Sequence, residues 1–131
     1  MGIDIKYLQR IVDEVLKASA LKDITWSTLA LVLTREDKGF ANAGFYYQDD
    51  GSATPFYVNS NEHLVLSDMV QDMQQEITRQ GPLQIQQLLV QIQQKSGFFK
   101  ADFEFKNHQR WDFNTTELEP LQALLKPDFS E

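Results

Sequence analysis

The sequence predicts an α+β fold: an antiparallel sheet, a three-stranded meander plus a C-terminal hairpin, with helices packed on one face in the order α-β-β-β-α-α-β-β-α. Three observations predict it. Residues 98 to 113 alternate apolar and charged side chains more cleanly than any other stretch. Residues 24 to 58 hold three short strand patterns separated by charged or Asp/Gly turns. Amphipathic stretches of helical spacing flank and interrupt these strands. At 131 residues with no cysteine, the chain reads as a single domain, 1–131, with a core that needs neither disulfide nor thiolate metal site.

Over residues 3 to 21, Leu8, Ile11, Val12, Val15 and Leu16 form one apolar stripe, with Gly2 or Asp4 placed to start the helix. From Ile24 to Arg35, Leu29, Leu31 and Leu33 alternate with Thr28, Ala30, Val32 and Thr34. So little charge on either face predicts a central strand. Trp26 has the opposite parity to the leucines, which assigns it to another layer or to the first helix. Arg35 to Gly39 is a charged turn into a strand at Ala43-Gly44-Phe45-Tyr46-Tyr47. Gln48-Asp49-Asp50-Gly51-Ser52 is a tight turn, because Asp and Gly tolerate left-handed backbone, and it leads to a strand near Pro55-Phe56-Tyr57-Val58.

Residues 62 to 80 return to helix, with Leu66, Val70, Met73 and Ile77 inward and Asp68, Asp72 and Glu76 on a neighbouring polar face. Gly81-Pro82 ends it, and a second helix to about Lys95 is expected to bury Leu83, Ile85, Leu88, Leu89 and Ile92. In the final hairpin, Phe99, Ala101, Phe103 and Phe105 share the buried face, and a loop of three residues or a bulge sets Phe105 opposite Trp111 and Phe103 opposite Phe113. Thr116-Glu117-Leu118-Glu119 reads as a capping box opening a short helix to Leu125.

The net charge is −7, and the acids cluster. Between Glu36 and Glu76 stand Asp37, Asp49, Asp50, Glu62, Asp68 and Asp72 with Lys38 as the one base. Such a field repels nucleic acid and membranes and favours a cationic partner, although it also suits a domain that simply stays soluble. The N-terminus lacks a secretory pattern and no stretch has the length of a membrane span, so a cytoplasmic protein is expected. His63 and His108 stand alone, no phosphate-binding glycine motif exists, and Asp49-Asp50 lacks the spaced oxygens of a calcium loop. No metal, cofactor or enzymatic role is expected, because no nucleophile and base are nominated. Asp68, Asp72 and Glu76 at four-residue steps form one acidic ridge, whose mutual repulsion a basic partner would relieve.

Gly97-Phe98-Phe99-Lys100-Ala101-Asp102-Phe103-Glu104-Phe105, followed by Arg110-Trp111, resembles the Gly-x-Phe-x-x-(Asp)-Phe-x-Tyr strand and following Arg and Trp of the YezG-like immunity proteins, small acidic α+β partners encoded beside secreted polymorphic toxins. The resemblance implies a protein that binds and neutralises a cognate toxin domain. A basic nuclease is the expected partner, since an acidic inhibitor gains steering against it. The candidate toxin-binding residues are Asp49, Asp50, Asp68, Asp72 and Glu76, with Tyr46 and Tyr57 as aromatic anchors. A monomer is expected. The alternative is a type III secretion chaperone, also small and acidic, of order α-β-β-β-α-β-β-α, which dimerises and binds an effector segment.

Overall fold

The computed structural model describes residues 4–37, 39–114 and 117–129. Along the chain stand α1 (Ile5–Leu16), a 3-10 turn (Ser19–Leu21), β1 (Thr28–Glu36), β2 (Gly39–Tyr47), β3 (Ala53–Phe56), α2 (Ser60–Gln80), β4 (Gln87–Gln93), β5 (Phe99–Glu104) and α3 (Glu119–Leu125). The strands make one antiparallel sheet ordered β3-β2-β1-β4-β5. This is the α+β class expected, a meander followed by a hairpin, with β1 at the centre.

Two cores sandwich the sheet. On one side Leu29, Leu31 and Leu33 of β1 and Leu88, Val90 and Ile92 of β4 meet Ile11, Val12 and Val15 of α1 and Leu66, Val70, Met73 and Ile77 of α2. Trp26 joins this helix-side core. On the other, Ala30 and Val32 of β1, Phe45 and Tyr47 of β2 and Leu89 of β4 meet Trp111 and α3's Leu121 and Leu125. Strand side chains alternate between faces, so a strand buried on both sides must be apolar throughout, and β1 is. The helices therefore do not all lie on one face: α1 and α2 cover one, and α3 with the segment before it covers the other.

The segment after Pro82 forms a strand, not the expected second helix. The buried spacing of Leu88, Leu89 and Ile92 fits both periods, but Leu88, Val90 and Ile92 alternate with Gln87, Leu89 and Gln91, and pairing with β1 on one side and β5 on the other decides it. The hairpin is consequently β4–β5. Phe103 stands opposite Leu88, and Arg110 to Phe113 is not a strand at all. Trp111 instead turns to the α3 side, and Phe113 stacks on Phe45 with centroids 5.2 Å apart. Phe99, Ala101, Phe103 and Phe105 do share the helix-side face, half-buried because β5 is an edge.

Asp4 caps α1, its side chain accepting from the Lys6 amide. Gly81 closes α2 through its N–H to Ile77, in extended backbone and with no helix following. Thr116 of the capping box lies outside the described residues, and α3 begins at Glu119 after Leu118 without a side-chain cap. Gly51 has a φ of 88°, which the β2–β3 turn requires.

Gly44 fixes how closely β2 lies against the rest of the sheet. A Cβ there would stand 2.3 Å from the Ala30 carbonyl oxygen and 3.1 Å from the Phe56 ring. Backbone cannot swing aside as a side chain can. Gly44→Ala is expected to destabilise the fold by about 1–3 kcal/mol, as overpacking does, measured by urea unfolding.

Candidate functional site

The outward face of α2 and the open end of β2 beside it form the candidate site. α2 begins at Asn59, whose side chain accepts from the Glu62 amide at 3.0 Å. Glu62 in turn accepts from the Ser19 amide and hydroxyl at 3.0–3.2 Å, tying the 3-10 turn to the helix start. A buried stripe of Leu66, Val70, Met73 and Ile77 then fixes the helix's rotation on the sheet. Asp68 and Asp72 are thereby exposed, at four-residue steps beyond Leu64, which is 64% exposed. Of the expected ridge, Asp68 and Asp72 are exposed, with an apolar side chain at their N-terminal end, whereas Glu76 is half-buried.

The five acids are not equivalent. Asp49, Asp68 and Asp72 make no hydrogen bond or ion pair with the described residues. Glu76 is half-buried and holds Arg79 at 2.7 Å. Asp50 accepts from the Ser52 amide at 2.8 Å, and that bonding holds its carboxyl below the usual range. Nor are they one cluster, because Asp49 and Asp50 sit in the β2–β3 turn while the other three ride on α2.

The two tyrosines line a different feature. An open cleft of about 780 Å³ is bounded by Tyr46, Phe56, Tyr57, Asn42 and Asn59, and by none of the five acids. Tyr46 is half-buried with its ring 6.1 Å from Phe56, whereas Tyr57 is 70% exposed and also lines a second cavity of about 350 Å³ with Glu36, Ser60 and His63. Tyr57 has the exposure of an anchor; Tyr46 is largely committed to packing.

The polar groups at this end serve the fold. Asn42 imitates a strand partner, accepting from the Val58 amide at 2.7 Å and donating to its carbonyl at 3.2 Å. His63 contacts Asn42 through Nδ1 at 2.8 Å and the Phe40 carbonyl through Nε2, so its Nε2–H donates and its Nδ1 accepts. Among the described residues no group of three or more His, Cys, Asp or Glu could hold a metal ion, and no helix is long and apolar enough to cross a membrane.

On the opposite face, Glu104 accepts from the Lys106 and Asn107 amides at 2.9 and 3.1 Å and lies 3.4 Å from Arg110. These bonds depress its carboxyl pKa. Arg110 also reaches Asp102 at 3.2 Å and lies over the Trp111 ring.

Two residues here escaped the sequence reading. Leu64 is off the buried stripe by two positions, a signal present in the helical spacing. Gln87, only 1% exposed, donates to the Trp111 carbonyl at 3.0 Å and accepts from the Trp111 amide at 2.9 Å, and no local pattern announces it. No protein-family model matches the chain, and no curated protein matches it in sequence.

Two tests follow from these contacts. Gln87→Leu strands the Trp111 backbone pair and is expected to destabilise by about 1–3 kcal/mol in a denaturant titration. Because the Glu104 pKa is depressed on folding, its stabilisation is present above the unfolded value and lost as pH falls through the folded one. The stability gap between wild type and Glu104→Gln should therefore be full at neutral pH and close below about pH 4.

Proposed function

We propose that the protein is an immunity-type inhibitor: a cytoplasmic acidic module that binds a cationic toxin domain, most simply a basic nuclease, and masks it without carrying out chemistry of its own. The observation that carries the reading is the outward face of α2, where Asp68 and Asp72 lie exposed, unpaired among the described residues, beside exposed Leu64. Acids that the fold does not use are available to steer and pair with a basic surface, and an apolar residue at their border supplies area to bury. Tyr57 serves as the aromatic anchor at the neighbouring cleft. The resemblance of residues 97 to 111 to YezG-like immunity proteins agrees with this reading.

A second reading has one observation of its own. The single strand-forming segment between α2 and β5 makes the element order α-β-β-β-α-β-β-α, the order of type III secretion chaperones. Such a protein would hold an unfolded effector segment instead of a folded toxin domain.

Both readings expect a secreted protein encoded near the chain's gene, and its C-terminal toxin domain or effector segment is the partner to test. Co-expression is expected to rescue cells from that toxin. Replacing Asp49, Asp50, Asp68, Asp72 and Glu76 together by alanine should raise the Kd for the toxin domain more than tenfold, with Asp68→Ala and Asp72→Ala each costing more than Asp50→Ala, whose carboxylate is already engaged. An unchanged Kd in calorimetry rejects this face. Binding only to an unfolded secreted segment favours the chaperone.

A further inference from the structure

The sheet ends at β3 on one side and at β5 on the other, and an edge strand offers unpaired N–H and C=O groups to any matching strand. The two edges are built differently. The Gln48 amide donates to the Ser52 carbonyl at 3.0 Å, which makes Tyr46 with Thr54 and Gly44 with Phe56 the bonded pairs. Ala53 and Pro55 therefore face outward, and Pro55 brings no N–H. That edge is four residues long and blocked by proline.

β5 has no such block. The Gln93 amide donates to the Phe98 carbonyl at 2.9 Å, so Phe98, Lys100 and Asp102 direct their backbone groups to β4. The backbone groups of Phe99, Ala101 and Phe103 then point away from the sheet, along a six-residue strand without Pro or Gly.

Its side chains are arranged symmetrically about Ala101. Laid antiparallel against a second copy with Ala101 opposite Ala101, Phe99 meets Phe103 and Lys100 meets Asp102, each twice. In this register the outward-facing residues meet each other, so every such pair exchanges two backbone hydrogen bonds. Lys100 and Asp102 fall at the non-bonded positions, where side chains come closest. Sliding by two residues in one direction sets Asp102 against Asp102, and in the other Lys100 against Lys100. Like charges at the axis disfavour both of these neighbouring registers.

Within its own copy Lys100 contacts the Asp128 carbonyl and the Phe129 ring and Asp102 pairs with Arg110, so each cross-axis pair would be shared with these contacts. Phe98 is 64% exposed at the start of the strand and would come opposite Glu104 of the second copy. Half-buried Phe99 and Phe103 would complete their burial against each other.

We propose that β5 is the contact strand of a symmetric homodimer, joining two five-stranded sheets into one continuous sheet through Lys100–Asp102 pairs across a two-fold axis at Ala101. This goes beyond the inhibitor reading, for which a monomer was expected. It uses none of the α2 acids, so each copy keeps its own outward helix face.

Sedimentation velocity at concentrations up to about 100 µM tests it. Wild type is expected to sediment as a dimer. Lys100→Asp and Asp102→Lys should each weaken self-association at least tenfold, since each sets like charges against one another. Mixed in equal amounts, the two variants should re-form a dimer, because the carboxylate introduced at position 100 of one then faces the ammonium introduced at position 102 of the other. A folding defect cannot produce that rescue. A wild type that stays monomeric, single variants that dimerise unchanged, or a mixture that stays monomeric would each overturn the proposal. Toxin binding by the monomeric single variants is read separately, so failure of the dimer and failure of the inhibitor reading are distinguishable.

Discussion

The fold depends on β1 being buried on both faces and hydrogen-bonded along both edges. Its interior residues Leu29 to Leu33 are all within 1% of complete burial. β2 and β4 each pair with it across nearly its full length, so their registers are both referred to this one strand. Leu31 lies between Gly44 on one side and Val90 on the other. The glycine allows the close approach, and the aliphatic alternation tells α1 and α2 from α3. Tyr47 completes the far side: its hydroxyl donates to the Gln122 carbonyl at 2.8 Å, and burial pushes the phenol pKa up. One strand thus sets the positions of both layers.

Much of this was legible because β1, α1 and α2 carry one-period patterns with little competition. Leu29, Leu31 and Leu33 announce a central strand, and Leu66, Val70, Met73 and Ile77 a helix. The stretch after Pro82 was ambiguous on physical grounds, since Leu88, Leu89 and Ile92 satisfy a helical stripe while Leu88, Val90 and Ile92 satisfy a strand. Long-range pairing with β1 and β5 decides between them, and sequence periodicity does not contain it. The same displacement moved the hairpin. Once Gln87–Gln93 is a strand, Phe99–Glu104 finds its partner upstream, and Trp111 is released to the other core. At the site, the exposure of Asp68 and Asp72 followed from helical spacing. That Tyr46 packs and Tyr57 does not could not be read from two aromatic residues near strand ends.

The glutamines make sense in this light. A helix that exposes them would leave their amides in water, whereas the strand puts Gln87 and Gln91 toward the α3 side. There they meet backbone groups that have no strand partner: Gln87 takes both polar groups of Trp111, and Gln91 donates to the Leu125 carbonyl at 2.9 Å. On α2, Gln74 accepts from the Ile85 amide at 2.6 Å and donates to the Leu83 carbonyl at 2.9 Å, while Arg35 donates to the Ile85 carbonyl at 2.6 Å. A side-chain amide offers both a donor and an acceptor, so it can stand in for a missing strand neighbour. Burying a neutral amide with both ends satisfied avoids the desolvation that a buried carboxylate would suffer.

That division of labour is what leaves the acids available. Several carboxylates are engaged by backbone, Glu62 by Ser19, Asp50 by Ser52, Glu104 by Lys106 and Asn107, and others by arginines, Glu76 by Arg79 and Asp102 by Arg110. Asp49, Asp68 and Asp72 have no such task among the described residues, and the helix that carries two of them is anchored by its apolar stripe. Removing either of those two charges therefore leaves the fold's own bonds intact, while removing Glu62 or Glu104 does not. A protein whose interior is organised largely by amides and aliphatics can vary such outer charges with little loss of stability.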